Sequence, residues 1–143
     1  MSHKATIKTK ISDLSVLCET LKQMGIEFET AKAGEKLEIE SRYNVQAKVD
    51  VKLIKDSHGQ SMKSIGFRKE SDGTYVAEGD LYEIRGSKTK EGESLSDSSF
   101  KRAVAKRYAY FKAMSELTKN GLTMLEGAQD FTASELNFVF QTV

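Results

Sequence analysis

The 143-residue chain has no proline and no tryptophan, a single cysteine and two histidines. Each shortage excludes something. Without proline, only glycine, asparagine and aspartate mark its turns. Cys18 has no cysteine to pair with, which excludes an intramolecular disulfide and points to a reducing compartment. His3 and His58 lie at neither i+3 nor i+4 from a cysteine or from one another, so no zinc-type spacing exists. No apolar run approaches the ~18 residues that span a bilayer. The basic opening "MSHKATIKTK" has no apolar stretch behind it, so no signal peptide is expected. The expected location is the cytoplasm, or the plastid stroma for a plastid-encoded chain.

What is present is charge of both signs, unevenly placed. The net charge is +1, which argues against a whole-surface nucleic-acid binder. Residues 101–120 hold Lys101, Arg102, Lys106, Arg107, Lys112 and Lys119 against Glu116 alone, whereas residues 121–143 have three acids and no base. The length fits one domain with a real core. Its low-complexity stretch "GSKTKEGESLSDSS" (86–99) reads as a mobile polar loop.

Periodicity predicts an α+β fold with a mostly antiparallel sheet and two helices packed on one face. Ala5, Ile7, Thr9 and Ile11 alternate with lysines and Thr6 as a first strand. Ser12 is the expected N-cap of a helix carrying Leu14, Leu17, Leu21 and Met24, stopped by Gly25. Strands follow at Ile26–Thr30 and Leu37–Ile39. The longest alternation places Tyr43, Val45, Ala47, Val49, Val51 and Leu53 on one face and polar residues on the other, which favours antiparallel pairing. Ile65 and Phe67 begin another strand, and Asp72-Gly73 marks a hairpin into "TYVAEGDLYEI", with a bulge expected at Gly79. A long helix from about Ser98 to Asn120 ends at Gly121, and the tail reads as two strands. Segments 4–41 and 75–142 share a strand–helix–strand–strand grammar, so the chain may be read as two such halves.

Catalytic chemistry is thin. No Gly-rich phosphate loop, nucleophile elbow or calcium loop occurs. Cys18 falls on the apolar side of its helix, as a packed thiol would. With the initiator methionine removed, His3 becomes the second residue and the amino-terminal metal chelate is lost, so no metal is expected. Glu38/Glu40 and Glu78/Asp80 are i, i+2 pairs on strands, where a solvated face explains the first pair and Asp80 is harder to dismiss. No cofactor and no enzymatic constellation is expected.

The long helix holds the sharper signal. At 100° per residue, Phe100, Ala103, Val104, Phe111, Met114 and Thr118 share one face, and Arg107 falls among them with Tyr110 alongside. Two readings of Arg107 compete. In one its guanidinium meets a buried carboxylate, with Asp80 the first candidate and Asp50 the second. In the other it closes a pocket and offers its fork to an anionic ligand. Lys101, Tyr108, Lys112 and Lys119 form a separate stripe, a candidate anionic contact surface with one exposed ring. Nucleic-acid binding by stacking needs several such rings and is not favoured. Arg102 and Lys106 point to solvent.

The opening "MSHKATIKTKISDL", "IGF" at Ile65–Phe67, "DL" at Asp80-Leu81 and "RYAY" at Arg107–Tyr110 follow one another in an order and spacing that resemble the hypothetical chloroplast reading frame 35 family, domain of unknown function 1257. The family occurs in algal plastids, cyanobacteria, other bacteria and some phages. The matching positions are His3, Gly66, Phe67, Asp80, Arg107, Tyr108 and Tyr110. Departures are a hydrophilic segment where the family carries tryptophan after "DL", and Lys106 where glutamine is frequent. The resemblance implies no established activity. Its implied associations are genomic, family members often sitting near an AAA+ ATPase and a second small protein of unknown function, which fits a non-catalytic adaptor engaging a protein partner. The alternative is a small binding module for an anionic ligand, nucleotide or RNA, built on Arg107 and the nearby tyrosines.

Overall fold

A computed structural model describes residues 10–41, 47–128, 130–133 and 136–142. The expected strand over Ala5–Thr9, His3, and Tyr43 and Val45 of the long alternation lie outside the described residues.

The fold is α+β, with two helices and antiparallel sheets. Helix α1 (Leu14–Gln23) and helix α2 (Asp97–Lys119) accompany strands β1 (Glu27–Thr30), β2 (Leu37–Glu38), β3 (Lys48–Val49), β4 (Val51–Lys55), β5 (Ile65–Lys69), β6 (Tyr75–Gly79), β7 (Leu122–Glu126) and β8 (Val139–Thr142). A short 3-10 helix, Leu81–Ile84, follows β6. The main sheet has the order β1-β4-β5-β6, and β2–β3 and β7–β8 form two-stranded ribbons. Every pairing among these strands is antiparallel.

Both helices pack on one face of the main sheet. Leu17, Leu21, Phe100 and Val104 join Val51, Leu53, Ile65 and Phe67 in a single apolar core. Helix α1 is capped by Asp13 rather than Ser12: the Asp13 carboxylate accepts from the N–H groups of Ser15 and Val16. Ser12 and Asp13 offer the same capping chemistry, and the first helical turn begins one residue later than its sequence suggests. Helix α2 starts at a capping box in which Ser96 and Ser99 each accept from the other's backbone N–H.

The long alternation of 43–53 is broken at Asp50. Val51 and Leu53 enter the main core, whereas Val49 joins Ile39 and Ala47 in a second, smaller cluster. Asp50 fixes the break, its carboxylate accepting from Lys36 Nζ at 2.5 Å and from the Lys69 N–H at 2.7 Å. Alternation thus places the buried side chains, but the strand changes partners halfway. The β2–β3 ribbon lies over the far face of the main sheet. A Cβ on Gly66 would come within 2.8 Å of Val49 Cγ2, and Gly66 points away from Ile65 and Phe67.

Gly79 ends β6 opposite Ile65 with no shift in register, so no bulge forms there. Glycine is required because φ is +109° and a Cβ would strike the Ser64 carbonyl and Ile39. The shared grammar of the two halves does not extend to pairing. In the first half β1 pairs with β4 and β2 with β3, while in the second β7 and β8 pair with each other.

Of residues 86–99, expected as a mobile polar loop, 86–95 form a hairpin-like turn with Ser87, Thr89 and Leu95 buried, and 97–99 open α2. Thr89 N–H donates to Glu93 O and Leu95 N–H to Ser87 O, while Lys90 N–H reaches Met24 O at the end of α1. Asp56 anchors the turn to the 55–60 loop by accepting the N–H groups of His58, Gln60 and Lys88.

Candidate functional site

Helix α2 delivers Arg107 into the core, as its period predicts, and the side chain is fully buried. Each guanidinium nitrogen has a partner. Nε donates to Gln23 Oε1 at 2.6 Å, Nη1 to the Ala103 carbonyl at 3.2 Å, and Nη2 to Glu93 Oε1 at 3.4 Å. Glu91 Oε2 lies 4.0 Å from Nη2, and Gln23 in turn donates to Glu91. The Phe131 ring sits 6.0 Å from the guanidinium carbon, within cation–π range. Both carboxylates keep about a quarter of their surface in water, so the buried cation is neutralised by acids that are only partly desolvated. That arrangement lowers the cost of burying the charge.

The neutralising residues are not those expected. Asp80 is buried, but its carboxylate accepts from Ser41 Oγ at 2.8 Å and its backbone engages Ser64 and Glu83. Asp50 is held by Lys36 and Lys69. Glu91 and Glu93 belong to the segment whose composition suggests a loop. Their i, i+2 spacing is the signal the sequence offers, and a solvated polar loop accounts for it equally well.

Tyr108 is also placed differently from expectation. It is buried rather than an exposed ring, and its hydroxyl accepts from the N–H groups of Ser12 at 3.1 Å and Asp13 at 2.9 Å. Tyr110 reaches the opposite way: its hydroxyl accepts the Ala128 N–H at 2.8 Å, and its ring meets Phe111, Phe131 and Phe138 edge-on. Three residues of "RYAY" therefore tie α2 to three places. Arg107 holds α1 and the 86–95 turn, Tyr108 holds the start of α1, and Tyr110 holds the C-terminal ribbon.

The lysine stripe does not present a uniform surface. Lys112 bridges Asp13 at 3.2 Å and Glu116 at 3.1 Å. These carboxylates, Glu116 foremost, hold its ammonium above the ordinary lysine range. Lys119 lies 4.0 Å from the same Glu116. Lys106, read as solvated, donates to the Ala133 carbonyl at 2.7 Å. Of the six bases in 101–120, Lys101 and Arg102 are exposed and have no ion pair among the described residues. His3 lies outside the described residues.

Other chemistry is sparse. Among the described residues no group of three or more histidine, cysteine or acidic side chains could hold a metal ion. Burial pushes the Cys18 thiol above its ordinary value, with Lys22 opposing, which disfavours the thiolate. A cavity of about 240 Å³ between β6 and α2 is lined by Ile11, Phe67, Tyr75, Phe100 and Val104 with Lys101 beside them. Its described lining is mostly apolar. No described helix is long and apolar enough to cross a membrane.

The exposed apolar side chains are more informative, and periodicity did not single them out. Between Met124 and Glu126 the β7–β8 register slips: Met124 faces Phe140 and Glu126 faces Val139, leaving Leu125 as the extra residue of a bulge. Leu125 is 61% exposed, Val139 49% and Met124 39%.

Over residues 20–134 the chain matches the family described as Protein of unknown function (DUF1257). No curated protein and no solved structure matches it.

Proposed function

The chain belongs to the DUF1257 family of proteins of unknown function, and from that premise we propose that it is a non-catalytic adaptor or accessory subunit that engages a protein partner. An AAA+ ATPase is the partner class that the family resemblance implies. The observation that carries the reading is the bulge at Leu125, which places an apolar side chain in water on a ribbon anchored through Tyr110. Bulges of this kind re-aim side chains at functional edges. A two-stranded ribbon is at best marginally stable alone. Its packing against Tyr110 and Phe138 gives this one a fixed platform.

The alternative, a module for an anionic ligand, nucleotide or RNA, draws its residues from Arg107 and the nearby tyrosines, with the lysine stripe as a contact surface. The guanidinium is satisfied internally, and two of the three stripe lysines are paired, so the adaptor reading is better supported. The test is recovery of partners on tagged full-length chain from its native host. Wild type is expected to retain an ATPase, identified by mass spectrometry, that Leu125→Asp loses while keeping its fold by circular dichroism. Equal recovery on both would count against the ribbon as the contact. Recovery of none would count against the adaptor.

A further inference from the structure

The charge asymmetry of the sequence becomes a complementarity in the fold. With Arg107, Lys112 and Lys119 paired to acids, the bases of α2 that have no ion pair among the described residues are Lys101, Arg102 and Lys106, and the first two are exposed together at the helix start. Those two residues rim a groove of about 410 Å³ lined also by Leu81, Asp97 and Ser98. Tyr82, next in sequence to Leu81, is 52% exposed. The groove's described lining is thus apolar at Leu81 and carries two bases, Lys101 and Arg102, against Asp97.

The β7–β8 ribbon has the opposite character. Its segment, 121–143, carries no base, and Glu126 and Asp130 are exposed. Glu126 faces Val139 across the ribbon, directly after the bulged Leu125. An acid therefore stands beside the exposed Leu125 and Val139, just as bases stand beside Leu81. The groove lies at the start of α2, whereas the ribbon is anchored on Tyr110, ~20 Å further along the helix axis at 1.5 Å per residue.

From this pairing we infer that the ribbon's occupant is a second copy of this chain, with Leu125 and Val139 of one copy seated on Leu81 and Tyr82 of the next and Glu126 facing Lys101 and Arg102. The inference rests on the reading of the ribbon as a protein-docking surface and makes it the contact between copies: the ATPase then engages the assembled copies through their remaining surface, and Leu125→Asp loses it by dissociating them. The two surfaces differ, so the contact is heterologous: repeated, it closes into a ring or extends as a filament. An adaptor assembled this way displays several copies of its remaining surface, which raises the effective affinity for a multivalent partner.

The test uses purified full-length chain alone, followed by sedimentation velocity over a wide concentration range. The expected result is a weight-average mass that rises with concentration above the 16.0 kDa of the monomer and falls as salt is added. Lys101→Glu with Arg102→Glu is expected to weaken association by roughly tenfold or more, as a reversed charge pair does. Glu126→Lys is expected to act likewise. Combining all three reversals restores association, which a merely misfolded variant cannot do. Leu125→Ser, which preserves charge, also dissociates the assembly. A chain monomeric at every concentration overturns the inference, as does association indifferent to these substitutions or not restored by the triple reversal. A monomeric chain that still retains its ATPase through the ribbon overturns this inference and leaves the adaptor reading intact. Self-association that follows the charge reversals, with no partner recovered, does the reverse.

Discussion

Arg107 Nε donates to Gln23 Oε1 across 2.6 Å, joining the middle of α2 to the last residue of α1. The bond closes a network in which Gln23 and Arg107 share Glu91, with Glu93 completing the neutralisation. A buried cation satisfied this fully is a structural element, and its removal strands two acids and a glutamine.

Arg107→Ala is therefore expected to destabilise the fold by about 3–5 kcal/mol, the range for breaking a buried pair by deleting one member. Gln23→Ala removes one hydrogen bond to a charged group and should cost about 1.5–3 kcal/mol. Urea unfolding checks both. An Arg107→Ala protein that stays as stable as wild type would sink the structural reading.

Tyr110→Phe should act locally. Loss of the hydroxyl leaves the Ala128 N–H without its partner, at a cost of about 1 kcal/mol. Hydrogen exchange is expected to quicken at Ala128 and along β7–β8, with the main sheet unchanged. Tyr108→Phe removes the acceptor of two N–H groups at the start of α1 and is expected to lower global stability more than Tyr110→Phe does.

The glycine-marked helix ends, the inward face of α2, the Asp72-Gly73 hairpin and the inward position of Arg107 were legible in the sequence because each rests on local periodicity or a glycine signal. The partners of Arg107 were not. Glu91 and Glu93 lie 14 to 16 residues away in a polar segment, and only the docking of that turn against Met24 and Asp56 brings them close. Tyr108 misled for a related reason. Helical projection places it beside lysines, but the chain before α1 crosses over it and donates two N–H groups to its hydroxyl. The Leu125 bulge arises from cross-strand register, which a single strand does not encode.

Asp56 predicts an acid dependence. Burial opposes its ionisation, yet the N–H groups of Lys88, Gln60 and His58 prevail and hold the carboxyl below the usual aspartate range. A depressed native value means that the stabilisation is present above the unfolded pKa, about 3.9. It is lost as pH falls from there through the native value. Asp56→Asn should lower stability at neutral pH by about 1–3 kcal/mol and make the acid limb shallower. Asp13 and Asp50 are depressed as well and keep part of that limb. An unchanged limb would contradict the assignment.

Gly79→Ala tests the junction of the main sheet with the β2–β3 ribbon. The left-handed φ alone should cost about 1–3 kcal/mol, and the contacts with the Ser64 carbonyl and Ile39 add to it. Thermal unfolding reads the sum, and a neutral substitution would contradict the described approach of the two layers.

The claim that Arg107 is neutralised within the fold, leaving protein contact rather than anion capture as the role, is tested most directly by thermal unfolding of the intact chain. Inorganic phosphate, nucleoside triphosphate and short single-stranded RNA are titrated in turn at fixed ionic strength. The expected midpoint is one that none of them moves. A saturable rise in the midpoint with any one, as binding to the native state produces, would contradict it.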